Sequence, residues 1–294
     1  MAKPKSFTVL VASDGSEEAT AAVNAVAIFP WPAGTRAHGV VVRSGAALVD
    51  VPEHVWAEVD RGYAAVAEGA RKVLARRWPD AEVRVVNGPT VPAIFTRARQ
   101  VGARSIVVGS RGHGPIARLL LGSTSLGIVR ALKHTALVVR GRPRSFARVA
   151  VGLDGSAHSR RTVAFLAGLD VPAGGHITII SVHEPIAVPS LGLVPSGART
   201  MVRAQADKEN AAAVQGLQRE IDAATAVLRR AGWRVESAIR KGAPLHELLA
   251  ATKSARVQLL AVGARGKTGA ERLLMGSVCE GALHRASVCV LLVR

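Results

Sequence analysis

The apolar residues of this chain alternate between two spacings, a pattern typical of parallel strands joined by helices. Short runs of valine, isoleucine and leucine are followed by longer segments in which alanine, leucine and arginine recur at helical spacing. In the first half, these runs predict strands at 8–12, 39–43, 82–86, 105–109 and 136–140. The intervening segments predict helices at 17–29, 56–78, 90–101 and 123–133.

The second half shows the same alternation. Its apolar runs predict strands at 149–153, 177–182, 234–239, 259–263 and 288–293. Strands that are apolar throughout and alternate with helices imply a parallel sheet covered on both faces, because each crossover connection lays a helix over the sheet. We therefore expect an α/β fold that occurs twice along the chain.

An internal repeat fixes the domain organisation. The segment Thr-Val-Leu-Val-Ala-Ser-Asp-Gly-Ser at 8–16 recurs as Arg-Val-Ala-Val-Gly-Leu-Asp-Gly-Ser at 148–156, an offset of 140, whereas later matches are offset by 154. The second copy thus holds 14 extra residues, which we place in a predicted loop at 185–200. We expect one domain at 1–140, a linker at 141–145 and a second domain at 146–294.

Composition narrows the class of protein. The 294 residues are 49% hydrophobic and 20% charged, which is typical of a folded globular chain and not of a disordered one. No apolar run reaches the 18 residues of a membrane span, and the start of the chain lacks the apolar segment of a signal peptide. The only cysteines, Cys279 and Cys289, provide no disulfide framework. We expect a cytoplasmic protein with no membrane association, and two cysteines that are small buried groups without a redox role.

The net charge of +18 raises the question of nucleic acid. Such an excess of arginine and lysine attracts polyanions, and here it is spread over both halves. Against this, aromatic residues make up only 3% of the chain, and no stacking motif or recognition helix is apparent. We expect no specific binding of nucleic acid.

The most informative motif is a glycine pattern that follows the fourth predicted strand of each half. Its spacing is Gly-x2-Gly-x9-Gly-Ser in both copies. The glycines would let a loop backbone approach a phosphate chain, and the last Gly-Ser pair would open a helix whose N–H groups and dipole favour an anion. The residues are Gly109, Gly112, Gly122 and Ser123 in the first half, and Gly263, Gly266, Gly276 and Ser277 in the second.

Two aspartates belong with these loops. Asp14 and Asp154 follow the first strand of each half in an Asp-Gly-Ser turn. In a doubly wound sheet, ligands bind beyond the carboxyl ends of the strands where the strand order reverses, so each aspartate would face the glycine loop of its own half. The alternative is a plain turn and helix cap. Basic residues within the loops either neutralise phosphate or are simply solvated: Arg111, His113, Arg265 and Lys267.

With this combination, nearly the whole chain resembles the universal stress protein family in its tandem form, and the glycine motif resembles that of the ATP-binding members. The resemblance implies five parallel strands in the order 3-2-1-4-5 and an adenine nucleotide, ATP with its magnesium ion, in each half. It assigns Asp14 and Asp154 to the ribose or the metal, the backbones of Val42 and Val182 to adenine, and the glycine loops with Ser123 and Ser277 to the phosphates.

The same resemblance implies how the halves associate. The fifth strands of the family pair across a twofold axis, so the two halves would form an intramolecular pseudo-dimer, and a homodimer of the whole chain is compatible with the pattern. One departure is visible before the fourth strand, where Arg104 and Gln258 replace a common acidic residue. That position lies away from the nucleotide, so binding is little affected.

Other functions find less support. The Walker pattern of P-loop enzymes and the Gly-x-Ser-x-Gly elbow of hydrolases are both missing from the sequence. No histidine or cysteine spacing indicates a protein-held metal. We expect an ATP-binding stress or signalling protein with slow or no hydrolysis. The alternatives are a non-catalytic scaffold that binds another anion or nucleic acid and, third, a slow ATPase or adenylating enzyme.

Overall fold

The computed structural model describes residues 7–44, 52–112, 121–132, 134–186, 196–266 and 275–294. The first half contains β1 (Thr8–Ser13), α1 (Glu17–Ile28), β2 (Arg36–Arg43), α2 (Glu53–Ala75), β3 (Glu82–Asn87), α3 (Thr90–Gln100), β4 (Ser105–Gly109), α4 (Ser123–Ala131) and β5 (Thr135–Val139). The second contains β6 (Arg148–Gly152), α5 (Ala157–Ala167), β7 (His176–His183), α6 (Ser196–Arg230), β8 (Arg234–Lys241), α7 (Pro244–Ser254), β9 (Leu259–Gly263), α8 (Ser277–Arg285) and β10 (Cys289–Val293).

These elements follow the predicted alternation, with one clear error in the second half. Helix α6 begins at Ser196, inside the segment predicted as a loop, while 187–195 lies outside the described residues. The helix has 35 residues against 23 in α2, so it absorbs most of the insertion. Gly197 and the small residues around it suggested a loop, yet they belong to a long helix whose later turns pack into the hydrophobic core at Ile221 and Leu228.

The sheet confirms the α/β fold and the strand order. Each half is parallel in the order 3-2-1-4-5, and the two halves join in one sheet, β3-β2-β1-β4-β5-β10-β9-β6-β7-β8. The junction is the antiparallel pair of β5 and β10, with Val138 opposite Val290 and Leu137 opposite Leu291. Every residue of both strands is buried. Pairing therefore covers two apolar strands that would otherwise be exposed sheet edges.

The hydrophobic core forms one layer on each face of this sheet, and both layers contain residues of the two halves. A cluster of aromatic side chains packs across the junction on the face of α1 and α5. The ring centroids of Phe29 and Phe146 are 5.0 Å apart, and those of Phe7 and Phe165 are 6.0 Å apart. Such contacts between large rings stabilise the folded protein by more than their buried apolar area alone would. The halves are therefore packed together through apolar side chains as well as through strand pairing.

One property of the helices concerns membrane spans. Among the described residues, none of the helices combines the length and the apolar character needed to cross a bilayer.

Candidate functional site

Each half has a cavity at the carboxyl ends of its strands, beside the first and fourth strands where the strand order reverses. The cavity volumes are about 400 Å³ in the first half and 360 Å³ in the second. The residues predicted from the sequence line them: Asp14, Val42, Gly109, Gly112, Gly122 and Ser123 in one, and Asp154, Val182, Gly263, Gly266, Gly276 and Ser277 in the other. The fold thus brings together residues that are far apart in sequence.

The aspartates sit in a turn that fixes their orientation. Asp14 Oδ1 accepts a hydrogen bond from the Ser16 backbone N–H at 3.0 Å, and Ser16 in turn caps α1 by accepting from the Ala19 N–H at 3.2 Å. Gly15 has φ +82°, a conformation that favours glycine. The turn predicted as the plain alternative is therefore present, and it holds the carboxylate at the edge of the cavity.

The second half repeats this turn closely. Asp154 Oδ1 accepts from the Ser156 N–H at 2.9 Å, Ser156 Oγ accepts from the Ser159 N–H at 3.1 Å, and Gly155 has φ +77°. In both halves, one carboxylate oxygen thus accepts the hydrogen bond that stabilises the turn. The other oxygen, Oδ2, faces the glycine loop.

The glycines of the loop have three different environments. Gly109 and Gly263 end the fourth strands against the first turn of a helix. A β-carbon on Gly109 would lie 2.8 Å from the Glu18 carbonyl, and one on Gly263 would lie 2.8 Å from the carbonyl carbon of His158. These two glycines are therefore needed for packing, whatever the cavity binds.

The second glycine of each loop lies against the aspartate. A β-carbon on Gly266 would stand 2.8 Å from Asp154 Oδ2, and one on Gly112 would overlap Asp14 Oδ2. No side chain fits at this position without displacing the carboxylate. These glycines therefore keep each aspartate in contact with its loop.

The third glycine, immediately before α4 or α8, is different. Gly122 has φ −61° and ψ 149°, and Gly276 has φ −79° and ψ 152°, conformations that any residue adopts. Added β-carbons would meet nothing closer than 3.4 Å, at the Cα atoms of Arg111 and Arg265. Nothing in the described protein requires glycine at either place. Both glycines line the cavities.

The helices that start at these glycines expose their N-termini to the cavities. The Gly122 N–H donates to the Ser110 carbonyl at 2.9 Å, and the Gly276 N–H donates to the Ala264 carbonyl at 2.8 Å. In the described part of the chain, neither helix has a side-chain cap. The next backbone N–H groups of each helix are thus directed toward a cavity lined by Ser123 or Ser277. This arrangement suits an anion, because the N–H groups and the helix dipole carry positive charge.

Charged side chains complete the cavity walls. Arg111 and Arg265 line the two cavities at matching positions. His113 and Lys267, the other predicted basic residues, lie outside the described residues. Glu184 lines the second cavity and was missed from the sequence, although the offset of 140 places it at the position of Ser44 in the first half. Its only signal in the sequence is its place two residues after Val182.

The cysteines are both buried, as expected. Cys279 lines the second cavity at the position that Ser125 holds in the first, where the Ser125 hydroxyl donates to the Gly109 carbonyl at 2.7 Å. Burial raises the pKa of the Cys279 thiol to about 12 and that of Cys289 to about 11. Both thiols are therefore protonated near neutral pH. Among the residues that the structure describes, no group of three or more histidine, cysteine, aspartate or glutamate side chains is placed to hold a metal ion.

Comparison with known proteins gives consistent results. A sequence model of the universal stress protein family matches residues 6–140 and 145–294. Universal stress protein Rv2005c of Mycobacterium tuberculosis is 30% identical over 262 residues, which cover 82% of this chain and 79% of that protein. A universal stress protein from Archaeoglobus fulgidus has a similar structure, with a TM-score of 0.68, 20% identity and 99% coverage of both chains. A functionally unknown Pseudomonas aeruginosa protein, PA1789, matches with a TM-score of 0.57, 13% identity and coverage of 98% and 92%.

Proposed function

This chain belongs to the universal stress protein family, and on that premise we propose that each half binds one adenine nucleotide, ATP with its magnesium ion. The main support is the glycine that precedes α4 and α8. Its conformation and its surroundings in the protein accept a side chain, yet both copies of the repeat have glycine there. A ligand that must approach the helix N-terminus closely gives a reason for glycine at this position.

The cavity residues suggest how the nucleotide would lie. The phosphates would bind between the glycine loop and the first N–H groups of α4 or α8, with Ser123 or Ser277 and Arg111 or Arg265 beside them. The backbones of Val42 and Val182, at the far side of each cavity, would contact the adenine. Asp14 and Asp154 would contact the ribose or the magnesium ion. A single carboxylate fits magnesium, which is usually held by one or two carboxylates together with phosphate oxygens.

The proposed role is that of a switch that responds to nucleotide, in stress response or signalling. Hydrolysis requires a base to position the attacking water. The acidic residues that line the cavities within the described ranges are Asp14, Asp154 and Glu184. Each aspartate already holds its turn through Oδ1. Slow turnover would let the nucleotide-bound state persist long enough for a partner to detect it.

The proposed arrangement of the whole chain is an intramolecular pseudo-dimer. Its domains would be 1–140 and 146–294, joined by the linker 141–145, with one nucleotide site in each. The support is the antiparallel pair of β5 and β10 and the aromatic contact of Phe29 with Phe146.

The test combines ligand identification with single-site variants. Mass spectrometry of ligand released from the denatured protein, and calorimetric titration with ATP and magnesium, should give adenine nucleotide and a stoichiometry near two. Ser123→Glu and Ser277→Glu place a carboxylate in the first turn of α4 and α8, which helices tolerate but phosphate does not. Each variant should lower the stoichiometry to about one.

The matched control is Ser237→Glu, the same change at an exposed position on β8. It should leave both sites intact. A different co-purified anion, with no response to nucleotide, would favour the scaffold alternative, and unchanged binding in both site variants would contradict the assigned sites.

A further inference from the structure

The two helices that open the cavities are each held at the opposite end by an arginine of the other half. Arg294 Nη2 donates hydrogen bonds to the backbone carbonyls of Val129, at 3.1 Å, and Arg130, at 3.0 Å, in the last turn of α4. Arg140 Nη2 donates to the backbone carbonyl of Leu283, in the last turn of α8. Arg140 and Arg294 occupy matching positions in the repeat, so the arrangement is reciprocal.

The sheet junction explains this exchange. Arg140 follows the last residue of β5, and Arg294 follows the last residue of β10. Because these strands run antiparallel beside each other, each strand carries its arginine past the junction toward the last helix of the other half. Both side chains are partly buried, and this burial lowers the pKa of both guanidinium groups. The bonds to Val129 and Leu283 are therefore part of the packed junction, whereas the bond to Arg130 is exposed.

A further contact joins the second site to the first half. Arg130, in the last turn of α4, forms an ion pair at 2.6 Å with Glu280, in the first turn of α8. The matching positions in the repeat are His284 and Leu126, which cannot form the same pair. The first turn of α8, which opens the second cavity, is thus also contacted by the first half.

An arginine that binds the C-terminal end of a short helix also influences the orientation of the helix's N-terminal end. Helices α4 and α8 have nine residues each, about 13 Å of helix. The last carbonyls of a helix lack partners within it, and a cation there complements the helix dipole. A helix of this length is marginal by itself, so its orientation depends on what holds its two ends. One end of each faces a cavity, and the other is bonded to the opposite half.

We propose that Arg294 is a positioning residue for the nucleotide site of the first half and Arg140 for that of the second, so that each site is completed by the other half of the chain. This inference rests on the proposed nucleotide binding. It adds a specific assignment: the two arginines act crosswise, through α4 and α8, and not on the phosphates of their own halves.

A simpler hypothesis makes the opposite assignment. Arg140 is close enough to Arg111 to interact electrostatically, and Arg294 is similarly close to Arg265. Direct attraction between each arginine and the phosphates of its own half would therefore make Arg294 important for the second site. The two hypotheses differ in which site weakens when one arginine is replaced.

The experiment measures each site alone. The full chain with Ser277→Glu reports the first site, and the full chain with Ser123→Glu reports the second. Into each we introduce Arg294→Met or Arg140→Met and measure nucleotide affinity by calorimetry and unfolding by thermal melting. Arg294→Met should weaken the first site, and Arg140→Met the second, by about threefold or more, the scale of a charge at a helix end. In each case the other site should change much less.

Two further variants separate positioning from general stability and charge. Arg294→Lys and Arg140→Lys keep the positive charge but lose the planar guanidinium that donates to the helix carbonyls, so they should give intermediate losses in the same crossed pattern. If the methionine variants do not fold, the lysine variants provide the same test. Arg230→Met removes one positive charge from an exposed position at the end of α6 and should change neither site.

The outcomes distinguish the two proposals. Losses in the same half, equal losses at both sites, or losses that simply follow the melting temperature would overturn the crosswise assignment while leaving nucleotide binding intact. Absence of nucleotide binding by the unmodified protein would overturn the proposed function and this inference with it.

Discussion

The backbone of Gly266 lies directly against the carboxylate of Asp154: a β-carbon on this glycine would be 2.8 Å from Asp154 Oδ2. Gly112 and Asp14 have the same relationship in the first half. The aspartate and the glycine loop of each half therefore form one unit, although they are about 100 positions apart in the sequence. A change at the glycine should consequently act through the aspartate.

The different environments of the loop glycines predict different effects of alanine. Gly263→Ala would drive a methyl group into the backbone of α5, so we expect it to lower the free energy of unfolding by about 1–3 kcal/mol. Gly276→Ala should cost less than about 1 kcal/mol, because its β-carbon meets only ordinary contacts. Nucleotide affinity of the second site should instead fall at least about fivefold in Gly276→Ala, since the added methyl group would lie in the wall of the proposed phosphate site.

Thermal melting and calorimetry on the two variants check this contrast. Gly109→Ala and Gly122→Ala provide the same pair in the first half. If Gly276→Ala melts much earlier while its affinity per folded molecule is unchanged, that glycine serves the fold and not the ligand.

Cleavage of the linker should leave the two halves associated. A protease site introduced within 141–145 cuts the only covalent connection, but β5 still pairs with β10 and Phe29 still packs on Phe146. We expect the cut protein to elute at the size of the intact chain in size-exclusion chromatography with light scattering. Val138→Lys, which buries a charge in the strand junction, should separate the cut halves or cause aggregation. If the cut protein without Val138→Lys separated into two soluble halves that do not interact, the pseudo-dimer would be contradicted.

The thiols should be unreactive in the folded protein. Because burial raises the pKa of Cys279 to about 12 and that of Cys289 to about 11, very little thiolate exists at pH 8. We expect labelling by a thiol reagent to be much slower in the native protein than in urea. Bound nucleotide should slow the labelling of Cys279 further, since this residue lines the second cavity.

The same pKa shifts predict a dependence of stability on pH. The folded protein holds the thiol protons more tightly than the unfolded chain, whose cysteines titrate near the ordinary value of 9.0. The stability due to the neutral thiols is therefore complete below about pH 9 and is lost as the pH rises toward 12. The control is Cys279→Ser, which introduces at this position the residue type found at the matching position 125. Thiol labelling of this variant should report Cys289 alone. Fast native labelling at pH 8 would refute this account.

Hydrolysis of ATP should be far slower than the typical enzyme turnover of about 10 per second. Phosphate release is measured at saturating ATP and magnesium, with the double variant Asp14→Ala/Asp154→Ala as control. Glu184→Gln tests the additional acidic residue that lines the second cavity. Turnover of several per second that disappears in one of these variants would place the protein among enzymes, and its loss in Glu184→Gln would assign it to the second half.

Much of the fold could be predicted from the sequence because it depends on the local pattern of apolar residues and glycines. The apolar runs of β4 and β9 predict buried parallel strands, and the repeated offset predicts two copies of one fold. The glycine motif likewise predicts a loop and a helix start at Gly122 and Gly276, since spacing along the chain is enough to define them. These features need no knowledge of which residues meet in space.

Tertiary structure decided the features that depend on contacts between distant segments. The sequence predicted a loop at 185–200, whereas α6 begins at Ser196, inside that segment, as part of a long helix whose later turns pack into the hydrophobic core. The separate environments of Gly263 and Gly276 appear only when α5 and the cavity are in place. Glu184 enters the second cavity through the position of β7 in the sheet and not through any motif.

The contacts of Arg140 and Arg294 show this division most clearly. In the sequence, each is an arginine directly after an apolar strand, and nothing nearby marks it as different from other arginines in a chain with a net charge of +18. Antiparallel pairing of β5 with β10 directs each toward a helix end in the other half. Strands, turns and helix starts follow from neighbouring residues, so the two folds, the glycine loops and the Asp-Gly-Ser turns could be predicted from the sequence. The proposed crosswise completion of the sites depends on the pairing of two strands that lie about 150 residues apart, and this pairing is visible only in the tertiary structure.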